Sequence, residues 1–71
     1  MALNSKEIEK SIYGQDGLYD RVIAEIRKIT PRKVSEITGK STQHIYVFMD
    51  RNHGKPKLDT IIYFGRSLGV E

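Results

Sequence analysis

The sequence predicts an all-α protein, a small bundle of about five helices. Apolar residues recur at helical spacing, capping residues and glycines mark the helix ends, and no β-hairpin signal is present. A length of 71 residues allows one domain with one modest hydrophobic core. The chain has no cysteine, which excludes a disulfide framework and a cysteine-based zinc finger. The domain must therefore be stabilised by helix packing.

The first two helices are predicted from capping residues and apolar spacing. Asn4 and Glu7 stand at capping-box spacing, and the first helix runs from about Asn4 to Tyr13, where Gly14 ends it. Asp16 is expected to cap the second helix. Apolar residues then follow at i, i+4, i+8 and i+11, which is typical of a helix with one buried face: Leu18, Val22, Ile26 and Ile29.

Two short helices are predicted next, separated by a tight turn. Thr30 is the N-cap of the third helix and Pro31 its first residue, where the missing N–H costs nothing. Gly39 ends this helix in a left-handed conformation, and Ser41 caps the fourth helix only a few residues later. The residues that face inward from the fourth helix are Ile45, Phe48 and Met49.

A polar loop over residues 51–57 contains Gly and Pro, and a last helix follows it up to Gly69. The face of this helix that is predicted to be buried carries Leu58, Ile61, Ile62, Gly65 and Leu68.

The interval 31–52 has the features of a helix-turn-helix motif. Ser35 provides a small residue where the two helices approach, and Gly39 provides the positive φ of the turn. The apolar residues that would hold the second helix on the first are Val34, Ile45 and Phe48. The whole chain, 1–71, is then one domain, with 1–14 as an additional N-terminal helix.

The positive charge is concentrated in the middle of the chain. The net charge is +3, yet residues 31–57 alone hold six basic and two acidic residues. Such a local surplus suits a polyanion such as nucleic acid. A solvated basic face explains the charge equally well.

The motifs together resemble the lambda-repressor/Cro-like helix-turn-helix DNA-binding family over about residues 29–70. The residues that carry the resemblance are Ile29-Thr30, Val34-Ser35, Gly39, Ser41, Ile45 to Phe48, Pro56-Lys57-Leu58-Asp59-Thr60, Ile61-Ile62, Phe64-Gly65 and Leu68-Gly69-Val70. Four positions depart from the family pattern: Pro31 stands where Gln is frequent, Met49 where Glu is frequent, Ser35 in place of the usual Ala, and Gly65 in place of another small packing residue. The loop from Phe48 to Pro56 is also about one residue longer than is typical of the family.

The resemblance implies which residues would contact DNA. Base readout falls to the start and outer face of the fourth helix: Thr42, Gln43, Tyr46 and Val47. Phosphate contacts fall to residues that flank the motif or line the loop: Arg32, Lys33, Lys40, Ser41, Arg51, Asn52, Lys55 and Lys57. The alternative for every one of them is an ordinary surface residue.

The implied function is sequence-specific binding of double-stranded DNA by a transcriptional regulator, a Cro-like repressor from a phage or a bacterium. The implied assembly is a homodimer on a two-fold operator. Its interface is expected at the C-terminal end, Leu68 to Glu71, or on the N-terminal helix with Leu3, Ile8 and Ile12. The alternative is an antitoxin or accessory protein-interaction module with the same fold.

Other classes of function find no support in the sequence. His44 and His53 are the only histidines, and without cysteine they do not predict a metal site. Asp16, Asp20 and Glu25 lack a nucleophile or an oxyanion device, so we expect no enzyme and no cofactor. No apolar stretch approaches the roughly 20 residues that span a bilayer, and no signal peptide opens the chain. We therefore expect a soluble cytoplasmic protein.

Overall fold

The structure, a computed structural model, describes residues 4–70. Five α-helices account for most of this range, and no strand occurs within it. The helices are α1 (Ser5–Tyr13), α2 (Leu18–Ile29), α3 (Pro31–Thr38), α4 (Thr42–Met49) and α5 (Leu58–Ser67), with a short 3₁₀ helix at Arg51–His53. The all-α prediction is confirmed, and α3 and α4 pack together in a manner consistent with a helix-turn-helix. The 3₁₀ helix lies in the segment predicted as a loop.

Three predicted N-caps are confirmed by their hydrogen bonds. In each, a side-chain oxygen accepts from the backbone N–H three residues later, which satisfies a donor that the helix leaves free. The accepting residues are Asn4, Thr30 and Ser41, at 2.8, 3.4 and 3.1 Å. Local sequence therefore sets where α1, α3 and α4 begin.

The predicted cap of α2 is wrong. The N-cap is Gly17, and Asp16 lies outside the helix with φ of 60°. A Cβ atom at Gly17 would lie only 2.7 Å from the carbonyl oxygen of Ser11, so this close approach to α1 requires glycine. The backbone N–H of Asp16 donates instead to the carboxylate of Asp20 at 2.9 Å.

The core consists of apolar side chains from α2, α3, α4 and α5. Ten are buried: Leu18, Tyr19, Val22, Ile23, Ile26, Val34, Ile45, Phe48, Ile61 and Phe64. Among residues 4–70 no polar or charged residue is buried. The inward faces predicted for α2 and α4 are confirmed, with Ile29 and Met49 partly buried at the edge of the core.

The predicted face of α5 is only partly correct. Ile61 and Gly65 are buried, and Ile62 and Leu68 are partly buried against the core. Leu58, however, is 40% exposed, and the prediction omitted Phe64, which is fully buried. The buried arc is centred between Ile61 and Phe64, so Leu58 lies at its edge as well as at the end of the helix. Phe64 is held there by Phe48, whose ring centroid lies 4.6 Å away.

Helix α5 ends in a Schellman motif. Gly69 has φ of 74° and donates to Arg66, while the backbone N–H of Val70 donates to the carbonyl of Gly65 at 2.8 Å. This turn brings Leu68 and Val70 against the core. Two C-terminal residues proposed for the dimer interface are thus partly buried within their own chain. Leu3 and Glu71, also proposed for that interface, lie outside the described residues.

Within residues 4–70, none of the helices combines the length and the apolar character needed to span a bilayer.

Candidate nucleic-acid interface

The turn between α3 and α4 is fixed by glycine geometry and by one side chain. Gly39 adopts φ of 75°, a conformation that residues with a Cβ rarely adopt, and its N–H donates to the carbonyl of Ser35 at 2.9 Å. The Ser35 hydroxyl donates to the carbonyl of Lys40 at 2.6 Å. Together these contacts restrain the direction in which α4 leaves the turn.

Helix α4 has one buried face and one exposed face. Ile45 and Phe48 are buried, whereas Tyr46 is 59% and Val47 41% exposed. The exposed side therefore presents all the residues predicted to read bases: Thr42, Gln43, Tyr46 and Val47. Their placement on one accessible surface is as the helical period predicts.

The C-terminal half of α4 is anchored to α2 by Tyr19. Its hydroxyl donates to the backbone carbonyl of Phe48, and the two rings pack edge to face with centroids 5.2 Å apart. Burial raises the pKa of Tyr19 above its usual 10.0, so the phenol stays protonated and remains a donor. Helix α4, which carries the exposed candidate residues, is thus fixed to α2 by a hydrogen bond and by ring packing.

Three of the predicted phosphate-contacting residues have carboxylate partners. Lys33 lies 3.5 Å from Glu36 within α3. The other two pairs join the loop to the helices before the motif: Arg51 with Asp20, and Lys55 with Glu9. The hydrogen bond from Lys55 lowers the pKa of the Glu9 carboxyl, and the same bond raises the pKa of Lys55.

These two loop cations also cover aromatic rings. The Arg51 guanidinium lies 5.1 Å from the Tyr19 ring centroid, and Lys55 Nζ lies 5.2 Å from that of Tyr13. Tyr13 in turn donates its hydroxyl to the carbonyl of Pro56 at 2.7 Å. These contacts fasten the loop to α1 and α2, a role that the sequence did not predict.

The remaining predicted cations have no carboxylate partner within residues 4–70: Arg32, Lys40 and Lys57. Lys40 directly precedes Ser41, the N-cap of α4, and its Nζ lies 5.4 Å from the ring centroid of Tyr63. Ser41 uses its hydroxyl to cap α4, and Asn52 is exposed in the 3₁₀ helix. Of the six predicted cations, three therefore lack a carboxylate partner in the described range, and a phosphate would have to compete with a carboxylate for the other three.

His44 belongs to the same surface and was missed as a candidate contact. It lines a groove with Val47 on α4 and with Lys55 and Pro56 of the loop. The signal was present in the helical spacing, since residues i and i+3 lie side by side. Among the described residues no group of three or more His, Cys, Asp or Glu side chains is placed to hold a metal ion.

Comparison of the chain with protein families, with curated proteins and with solved structures finds no match in any of the three. The family resemblance therefore rests on the motifs quoted above.

Proposed function

We propose that this chain is a sequence-specific double-stranded DNA-binding protein that reads an operator by placing α4 in the major groove. The observation that carries the proposal is the two-faced character of α4. Its inner face is locked by Ile45 and Phe48, while an aromatic, an aliphatic and two hydrogen-bonding side chains share its accessible face.

The exposed side chains match the chemistry of base edges. Gln43 can form paired hydrogen bonds with adenine, and Thr42 and Val47 can contact the methyl group of thymine. Lys40, which has no carboxylate partner among residues 4–70, adds a positive charge next to the N-cap of the same helix, where a phosphate contact would fix the register of the domain.

The biological role we propose is that of a Cro-like phage or bacterial repressor, acting in the cytoplasm and occluding a promoter. One helix of eight residues reads few base pairs, so a homodimer on a two-fold site is proposed. Its two recognition helices would enter successive major grooves about 34 Å apart.

Selection of bound sequences from random double-stranded DNA, carried out at two salt concentrations, tests this function. We expect one enriched motif at both concentrations, with affinity that falls as salt rises. A variant with Gln43→Ala and Val47→Ala serves as the matched control and should lose the motif while it retains weak, salt-dependent binding. Absence of enrichment together with salt-insensitive binding would contradict the proposal.

A second candidate is a protein-interaction module such as an antitoxin or accessory subunit. It is favoured by the apolar character of the accessible surface, since Tyr46, Val47 and Ile37 are 59%, 41% and 48% exposed. A surface for DNA phosphates alone would not require these side chains. Co-purification of a stoichiometric partner encoded beside this chain, with no binding to random DNA, would favour the second candidate.

A further inference from the structure

The outward face of α5 carries four residues whose chemistry is symmetric about the middle of the helix. Asp59, Ile62, Tyr63 and Arg66 stand at i, i+3, i+4 and i+7 and line one continuous surface. The midpoint of the four positions falls between Ile62 and Tyr63. An acid therefore lies at one end, a base at the other, and two apolar groups between them.

These side chains have capacity for further contacts. Tyr63 is 43% exposed, and Ile62 packs against the core with part of its side chain still accessible. Asp59 and Arg66 are exposed, and neither has an ion-pair partner within residues 4–70. The Tyr63 hydroxyl donates to the carbonyl of Thr38 at 2.9 Å, which holds the ring in one orientation.

We infer that this surface, hereafter the α5 stripe, binds the α5 stripe of a second copy of the chain, with the two helices antiparallel. A two-fold interface must be self-complementary, so that residue i meets j and j meets i. A two-fold axis through the midpoint of the stripe satisfies this condition. It brings Asp59 of each copy opposite Arg66 of the other. It also brings Ile62 of each copy opposite Tyr63 of the other, so that each contact occurs twice.

The dimer so formed is weak. The stripe extends over seven residue steps, from Asp59 to Arg66, which is about 10 Å along the helix axis. A contact of that length buries less surface than the roughly 1,200 Å² of a stable specific interface. Self-association is therefore expected mainly at high protein concentration or when two copies lie side by side on one site. This inference rests on the proposed function, in which two copies of the chain bind one two-fold site.

Disulfide trapping without DNA tests the α5 stripe separately from DNA binding. The chain has no cysteine, so Ile62→Cys introduces a single thiol next to the proposed axis. We expect mild oxidation to link this variant as a dimer much faster than Ala24→Cys, a matched control on the exposed side of α2. Equal rates for the two variants would overturn the proposal.

Charge reversal tests the antiparallel arrangement. In the Ile62→Cys background, Asp59→Arg or Arg66→Asp alone should lower the trapped fraction about ten-fold, because each places like charges opposite each other twice. The double reversal restores both pairs and should recover trapping. Failure of the double variant to recover would overturn the arrangement.

A change in the stability of α5 would not restore trapping in the double variant. Each reversal opposes the helix dipole, and the double variant carries both penalties. Circular dichroism of all variants tests whether they are folded at the temperature of trapping.

If Ile62→Cys is unfolded, a mixture of Asp59→Cys and Arg66→Cys replaces it. The disulfide between the two different variants is then expected to exceed both disulfides between identical variants. A mixture without that excess would count against the proposal. DNA binding can fail while trapping succeeds, and the reverse, so the two proposals are distinguishable.

Discussion

Ser35 donates its hydroxyl to the backbone carbonyl of Lys40 across the turn that joins α3 to α4, with 2.6 Å between the two oxygens. The sequence predicts Ser35 only as a small residue at the approach of two helices. In the structure it also satisfies a carbonyl that the turn leaves outside both helices. The direction of α4 thus depends on a side-chain hydrogen bond as well as on Gly39.

Ser35→Ala should lower the free energy of unfolding by about 0.5–1.5 kcal/mol, the usual net contribution of one such hydrogen bond. Urea denaturation followed by circular dichroism measures the change. Ser11→Ala is the matched control, because the Ser11 hydroxyl donates to the carbonyl of Ile8 within its own helix, at 2.8 Å. A loss in the control as large as that in Ser35→Ala would remove the special role of the turn bond.

Gln43→Ala should relax discrimination at one base position by about 1–3 kcal/mol and leave non-specific binding nearly unchanged. The measurement is a set of binding constants for single-base variants of the selected site. Gln15→Ala, at the only other glutamine and in the exposed connection between α1 and α2, should leave all of them unchanged. Equal weakening on every sequence would contradict a readout role for Gln43.

Helix ends were largely predictable because they depend on residues close in sequence. The cap at Ser41 and the glycine at Gly39 act within a few residues of themselves. The start of α2 was not predictable in this way, since the need for Gly17 arises from its approach to the carbonyls of Ser11 and Ile12.

The sequence was sufficient to predict which α4 residues share the candidate surface, but it did not predict the ion pairs made by the loop cations. Helical period places Thr42, Gln43, Tyr46 and Val47 on one side of α4 whatever the tertiary structure. The Arg51–Asp20 and Lys55–Glu9 pairs join residues 31 and 46 positions apart, and no local pattern reports such contacts.

Lys57→Ala should lower the slope of log affinity against log salt by about one, since Lys57 lacks a carboxylate partner within residues 4–70. Lys55→Ala should lower it by less, because Glu9 already balances that charge. Lys28→Ala, an exposed cation on α2, is the control and should leave the slope unchanged. A larger effect for Lys55 than for Lys57 would show that its ion pair opens on DNA.

Glu9→Gln should remove a small, pH-dependent part of the stability. The pKa of Glu9 is lowered in the folded chain, so its contribution is present above the ordinary carboxyl value of 4.5 and is lost as pH falls through the folded value. The difference in unfolding free energy between wild type and Glu9→Gln should therefore be constant near neutrality and shrink below about pH 4.5. Urea titrations at several pH values measure it. If this difference in unfolding free energy grew on acidification, the Lys55–Glu9 pair could not be its source.

Thr30 ends α2 with its backbone N–H and begins α3 with its side chain, so one residue with φ of 93° separates the two helices. A helix advances about 100° per residue, so an insertion here would turn Val34 away from the core and carry α4 with it. Natural variation in chain length is therefore expected to avoid this junction and to accumulate between Arg51 and Lys55, where every residue is exposed.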